Sequence, residues 1–106
     1  DWSFKRIGLH VGSNITASGD VTVGAGTFYL VATGSGNVTI GLPAAATCAN
    51  MILSFKKIAA ANSMILDANA SETIDGATTK TLGDQWSWVT IISNGTSWFI
   101  ISQGNP

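Results

Sequence analysis

Trp86-Ser87-Trp88-Val89-Thr90-Ile91-Ile92-Ser93-Asn94-Gly95-Thr96-Ser97-Trp98-Phe99-Ile100-Ile101-Ser102 is the stretch that decides the fold. Asn94-Gly95 separates two β-rich runs, Trp86 to Ser93 and Thr96 to Ser102. Asn and Gly both tolerate the positive φ that a type I′ turn needs, so this dipeptide is a strong short-range hairpin signal. A two-residue loop also sets the register. It predicts Ser93 opposite Thr96, Ile91 opposite Trp98 and Val89 opposite Ile100. The last two pairs share a face suited to a core. The other face carries Trp86, Trp88, Thr90 and Ile92 on one strand, with Phe99 and Ile101 on its neighbour. A sheet of an antiparallel sandwich ordinarily has one dry and one wet face; here neither is wet. A patch of that content approaches a few hundred Å², the size at which patches on monomers mark interaction sites. Three covers are conceivable: the N-terminal segment with its Trp2 and Phe4, an identical subunit, or a ligand.

Working outward, the rest of the chain reads the same way. Helical periodicity is nearly absent and turn signals recur every eight to twelve residues, which argues for a sandwich or a barrel. Ile7, Leu9 and Val11 alternate with Gly8 and His10, and Trp2 and Phe4 precede them at the same two-residue spacing. Val21 and Val23 form a short strand, and Thr27 to Ala32 a second. Gly24-x-Gly26 and Gly34-x-Gly36 read as hairpin turns. Val38, Ile40 and Leu42 alternate with Thr39 and Gly41 until Pro43, which cannot donate to a ladder. A helical turn fits only Ala44 to Asn50. Met51, Leu53 and Phe55 alternate with Ile52, Ser54 and Lys56, giving that strand a wetter face. Ser63 to Asp67 is another strand, Asp75-Gly76 a turn, and Thr79 to Leu82 a short edge. The expected fold is a single antiparallel β-sandwich, or a barrel, over residues 21–106, with residues 1–20 as a connector or N-terminal strand segment.

The chain has 106 residues, enough for one domain with a modest core; 45% are apolar and only 10% charged. Ordinary soluble domains carry about 25% charged residues. Low charge with high apolar content suits a membrane-embedded chain, a surface partly covered by another chain, or a weakly charged monomer. No apolar run approaches the roughly 20 residues a spanning helix needs, so a partner chain is the better reading. Net charge is −1, and Lys5-Arg6 and Lys56-Lys57 are pairs rather than the basic stripe that nucleic-acid binding requires. The single cysteine, Cys48, excludes an intrachain disulfide and reads as a small buried residue. No basic start followed by an apolar core marks a signal peptide, and a start at Asp1 suggests a piece of a longer protein.

No catalytic constellation is present. His10 is the one histidine. No G-x-S-x-G elbow occurs, Cys48 has no nearby His, and the Gly-x-Gly pairs lack the rest of a phosphate-binding fingerprint. Asp67-Ala68-Asn69-Ala70-Ser71 begins like a calcium loop but has Glu72 in place of the Gly at its sixth position and Thr78 where the bidentate Glu belongs. Glu72 and Asp75 form a conceivable carboxylate pair for glycoside hydrolysis, yet both flank a turn, where acidic residues serve solvation. Asn14, Asn37, Asn69 and Asn94 begin N-x-S/T triplets, which matter only in a eukaryotic secretory setting. No pattern asks for a metal or a cofactor, and the chain reads as non-enzymatic.

Five blocks, in order, carry a resemblance. They are Gly26-Thr27-Phe28-Tyr29-Leu30-Val31, Val38-Thr39-Ile40-Gly41-Leu42-Pro43-Ala44-Ala45, Leu53-Ser54-Phe55-Lys56-Lys57, Ser71-Glu72-Thr73-Ile74-Asp75-Gly76, and Val89 through Ile101. From Val21 to Ser102 the chain resembles a recurrent β-module of bacteriophage tail fibres, tailspikes and related virion proteins. The resemblance implies a sandwich-like fold, usually homotrimeric, near the end of an elongated fibre, with roles in trimerisation and host-receptor attachment. It implies location on the virion, extracellular after release, and supplies no catalytic residues. Trp86 and Trp88 are heavier than that place in the family normally carries.

Two functional expectations follow. In the first, the chain is a terminal fibre module whose Trp86, Trp88, Ile92, Phe99 and Ile101 form the subunit interface of a homotrimer. In the second, Trp86 and Trp88 bind a bacterial surface polysaccharide, rings stacking on sugar faces while Thr, Asn and Asp supply directional hydrogen bonds; Trp98 shares the core face and is set aside. A capsid-decoration role is a structural variant of the first.

Overall fold

The computed structural model describes residues 14–15, 21–23 and 28–105, the first pair by backbone alone. Nine strands form among them: β1 (Asn14–Ile15), β2 (Val21–Thr22), β3 (Phe28–Val31), β4 (Val38–Gly41), β5 (Ile52–Lys57), β6 (Met64–Asp67), β7 (Thr79–Leu82), β8 (Trp88–Ser93) and β9 (Trp98–Gly104). A 3₁₀ turn at Ala45–Cys48 is the only helical element among them, inside the segment predicted for one. The Trp2–Val11 rhythm, His10 and the Gly24-x-Gly26 turn lie outside the described residues.

The strands make two mixed sheets, a large one in the order β1-β3-β5-β8-β9 and a small one in the order β2-β4-β6-β7. The expectation of an all-β chain holds; that of a purely antiparallel sandwich does not. β1, β3 and β5 run parallel, as do β2, β4 and β6. Through β6, successive strands alternate between the sheets, so each returns to its own sheet only after a strand in the other. The intervening strand and its loops serve as the crossover that parallel neighbours require. The chain winds as a two-sheet coil until β6, then reverses: β7 pairs antiparallel with β6, β8 with β5, and β9 with β8. No barrel closes. Gly34-x-Gly36 is accordingly a corner between sheets, β3 in the large and β4 in the small, rather than a hairpin turn.

The core lies between the facing surfaces. Val31, Val38, Ile40, Leu53, Met64, Leu66, Val89, Ile91 and Trp98 are fully buried, and Tyr29 stacks on Phe55 with ring centroids 5.1 Å apart. Burial and Cys48 nearby push the Tyr29 hydroxyl above its usual pKa. Lys57 is also fully buried. It follows Phe55 on the inward side of β5, so the wetter face of that strand is not where its second lysine goes. Its ammonium donates to the carbonyls of Ala59 and Ala60, satisfying a charge that would otherwise be expensive in the core.

The terminal hairpin departs from its predicted register. Ser93 pairs with Trp98, Ile92 with Phe99 and Ile91 with Ile100, leaving a four-residue loop over Asn94–Ser97. The Asn94 side chain takes the N–H groups of Thr96 and Ser97, both at 3.0 Å, and Ser93 Oγ takes that of Gly95. Asn closes a wider turn through its side chain, as it does in Asx-turns. The tight turn with two positive φ values instead sits at Asp75-Gly76, at 49° and 87°, where Ile74 and Ala77 exchange both hydrogen bonds. A slip of two residues preserves side-chain parity, so Val89, Ile91 and Trp98 stay in the core. Below Ile100 the ladder shifts by one, with Thr90 opposite Ser102; Ile101 is the extra residue and stands out into solvent.

Candidate functional site

The two sheets have unlike outer faces. On the small sheet that face carries Thr22, Thr39, Ile65, Asp67, Thr79 and Thr81 by strand alternation, an ordinary solvated surface. On the large sheet it carries Phe28, Leu30, Ile52, Ser54, Lys56, Trp88, Thr90, Ile92 and Phe99. Phe28, Leu30, Ile52 and Phe99 are each between 41% and 45% exposed. Register makes them a continuous patch: Ile52, Ile92 and Phe99 form one row across three strands, and Leu30, Lys56 and Trp88 another. Between these rows Ser54 Oγ and Thr90 Oγ1 share a hydrogen bond of 2.8 Å, which satisfies the polar groups within the sheet.

Of the five residues expected at an interface, Trp88, Ile92 and Phe99 lie on this face. Ile101 is the bulged residue at its margin. Trp86 is not on the ladder. Its N–H bonds the Lys57 carbonyl while Lys57 N–H bonds the Ser87 carbonyl, a bulge whose first residue is left-handed and ordinarily Gly. Trp86 holds φ +70° there with 46% of its surface exposed. Phe28, Leu30 and Ile52 belong to the face but do not emerge from the sequence. Their membership depends on β3 lying beside β5 and β5 beside β8, a parallel neighbourhood that alternation cannot reveal.

Trp88 is half-buried and the best-seated aromatic on this face. A Cβ on Gly104, its cross-strand partner, would come within 2.4 Å of the indole, so the ring lies directly across the glycine. Its Nε1 donates to Ser102 Oγ at 3.4 Å, and Lys56 Nζ stands 5.8 Å from the ring centroid, within cation–π range. The same indole lines a cleft of about 320 Å³ between the edge strands β7 and β9, with Lys80, Asp84, Gln103, Gly104 and Asn105 among its walls. Asn105 Nδ2 donates to Asp84 Oδ2 at 3.0 Å. None of these polar residues stands out in the sequence, because the cleft joins edges of two different sheets.

The other candidates have structural occupations. Glu72 Oε1 accepts the Ala45 N–H at the start of the 3₁₀ turn, and Asp75 Oδ1 accepts the Ile100 N–H. Cys48 is buried and unpaired. Among the described residues no three His, Cys, Asp or Glu side chains gather as a metal site, and no helix is long and apolar enough to cross a membrane. Trp98 is fully buried, its backbone N–H donating to the Thr73 carbonyl and its own carbonyl accepting the Asp75 N–H. No protein-family model matches the chain, and no curated protein matches it significantly.

Proposed function

We propose that the chain is a non-enzymatic module of a virion fibre or tailspike that trimerises through the outer face of its large sheet and serves host attachment. The observation that carries this reading is the contrast between the outer faces, one threonine-rich and the other holding Phe28, Leu30, Ile52 and Phe99. Full burial of a large apolar side chain contributes about 1.5–3 kcal/mol, and these side chains forgo roughly half of that while open to water. A closed threefold assembly would bury the face without leaving a free copy of it, and the resemblance to fibre modules favours three subunits over two. Light scattering on the purified chain tests the reading: a trimer mass is expected, and a monomer across the micromolar range rejects it.

A second reading places attachment on saccharide. It is favoured by Trp88 lining a polar cleft rather than lying wholly within the apolar face.

A further inference from the structure

We propose that the cleft between β7 and β9 is a binding site for a short, uncharged saccharide, with Asp84, Gln103 and Asn105 as its hydrogen-bonding groups and Trp88 as its apolar wall. The inference rests on the attachment reading above and names the ligand class and the site. The volume of about 320 Å³ lies at the lower end of the roughly 300–1,000 Å³ typical of small-molecule sites. The lining suits a polyol. Gln103 and Asn105 each offer donors and acceptors, Asp84 offers acceptors and Lys80 donors, so neighbouring hydroxyls that both give and take can be met in pairs. The one positive and one negative side chain cancel, which leaves no field for a polyanion. An indole beside polar groups suits a sugar ring, apolar on its C–H face and polar at its rim.

The parts are held before any ligand arrives. The Asp84 carbonyl takes both the N–H and the hydroxyl of Ser87, at 3.2 and 2.6 Å, fixing the turn that presents its carboxylate. Asn105 occupies Asp84 Oδ2, while Oδ1 accepts no hydrogen bond from a described residue. Trp88 is pinned across Gly104. Preorganised groups lose little freedom on binding. The competing explanation is that Lys80, on an edge strand, serves as a guard against edge-to-edge pairing; it predicts no ligand at all.

The test is an array of bacterial capsular and O-antigen oligosaccharides probed with the chain and with Asp84→Ala, Asp84→Asn, Gln103→Ala and, as a control outside the cleft, Thr78→Ala. Retention of an uncharged glycan is expected. Titrating that glycan should show affinity reduced about tenfold or more in the Asp84 and Gln103 variants, the loss expected for a hydrogen bond to a charged or well-placed partner, and unchanged in Thr78→Ala. Circular dichroism on each variant separates lost binding from lost folding, and Asp84→Asn keeps the shape if Asp84→Ala unfolds. An array without signal, or equal affinity in folded Asp84→Asn and Gln103→Ala, overturns the site. Light scattering on the same samples distinguishes the two proposals: a trimer with an empty array rejects only the cleft, and a monomer that binds glycan rejects only the trimer.

Discussion

Trp86 occupies a backbone conformation that suits glycine. A left-handed φ costs an L-residue about 1–2 kcal/mol, and for a bulky side chain it is a true outlier. The bulge hydrogen bonds to Lys57 impose it, and nearly half of the residue stays open to water. Replacing Trp86 with Gly relieves the strain, offset in part by glycine's greater freedom in the unfolded chain. The half-covered indole gives up roughly 1 kcal/mol of burial, so urea unfolding of Trp86→Gly is expected to show a stability within about 0.5 kcal/mol of the parent. A larger loss of stability in the variant would instead mean that the ring's contacts within the folded protein outweigh the strain.

The β8–β9 hairpin shows how one glycine organises an element. Gly104 stands opposite Trp88, and the indole fills the space a side chain would take. Gly104→Ala should drive the ring off its seat, breaking its contact with Ser102 Oγ and destabilising the hairpin by about 1 kcal/mol, in line with the cost of mild overpacking. Tryptophan fluorescence read beside the urea midpoint checks both parts: the emission should shift and the midpoint should fall. The same hairpin marks how far the sequence could be read. The strand character of Trp88–Ser93, its turn residues and its buried side were legible, because alternation and Asn-Gly are local signals. The register was not, since Asn94 uses its side chain rather than its backbone to close the loop. The bulge at Ile101 left no local trace. Parallel pairing was likewise hidden, because an alternating strand looks the same whichever way its neighbour runs. The candidate face therefore emerged with its β8 and β9 residues only, and the cleft, built from edges of separate sheets, did not emerge at all.

For the molecule as a whole, the proposed trimer rests on the asymmetry between the two outer faces. Ile52 and Phe99 flank Ile92 in a row on the large sheet, and neither supports the core behind it. Glutamates at both positions should therefore leave the protomer folded while placing like charges from every subunit against one another at a closed interface. Burying such charges unpaired costs several kcal/mol, enough to dissociate a trimer of ordinary affinity. The expected result for Ile52→Glu/Phe99→Glu is a monomer by light scattering with β-type circular dichroism retained. The parent's melting temperature should rise with protomer concentration, as mass action requires of an oligomer, and the variant's should not. Thr79→Glu/Thr81→Glu, on the outer face of the small sheet, supplies the matched control and should remain trimeric. If that control dissociates while Ile52→Glu/Phe99→Glu stays trimeric, the subunits meet through the threonine-rich face, and the apolar face must be covered by something other than a second copy.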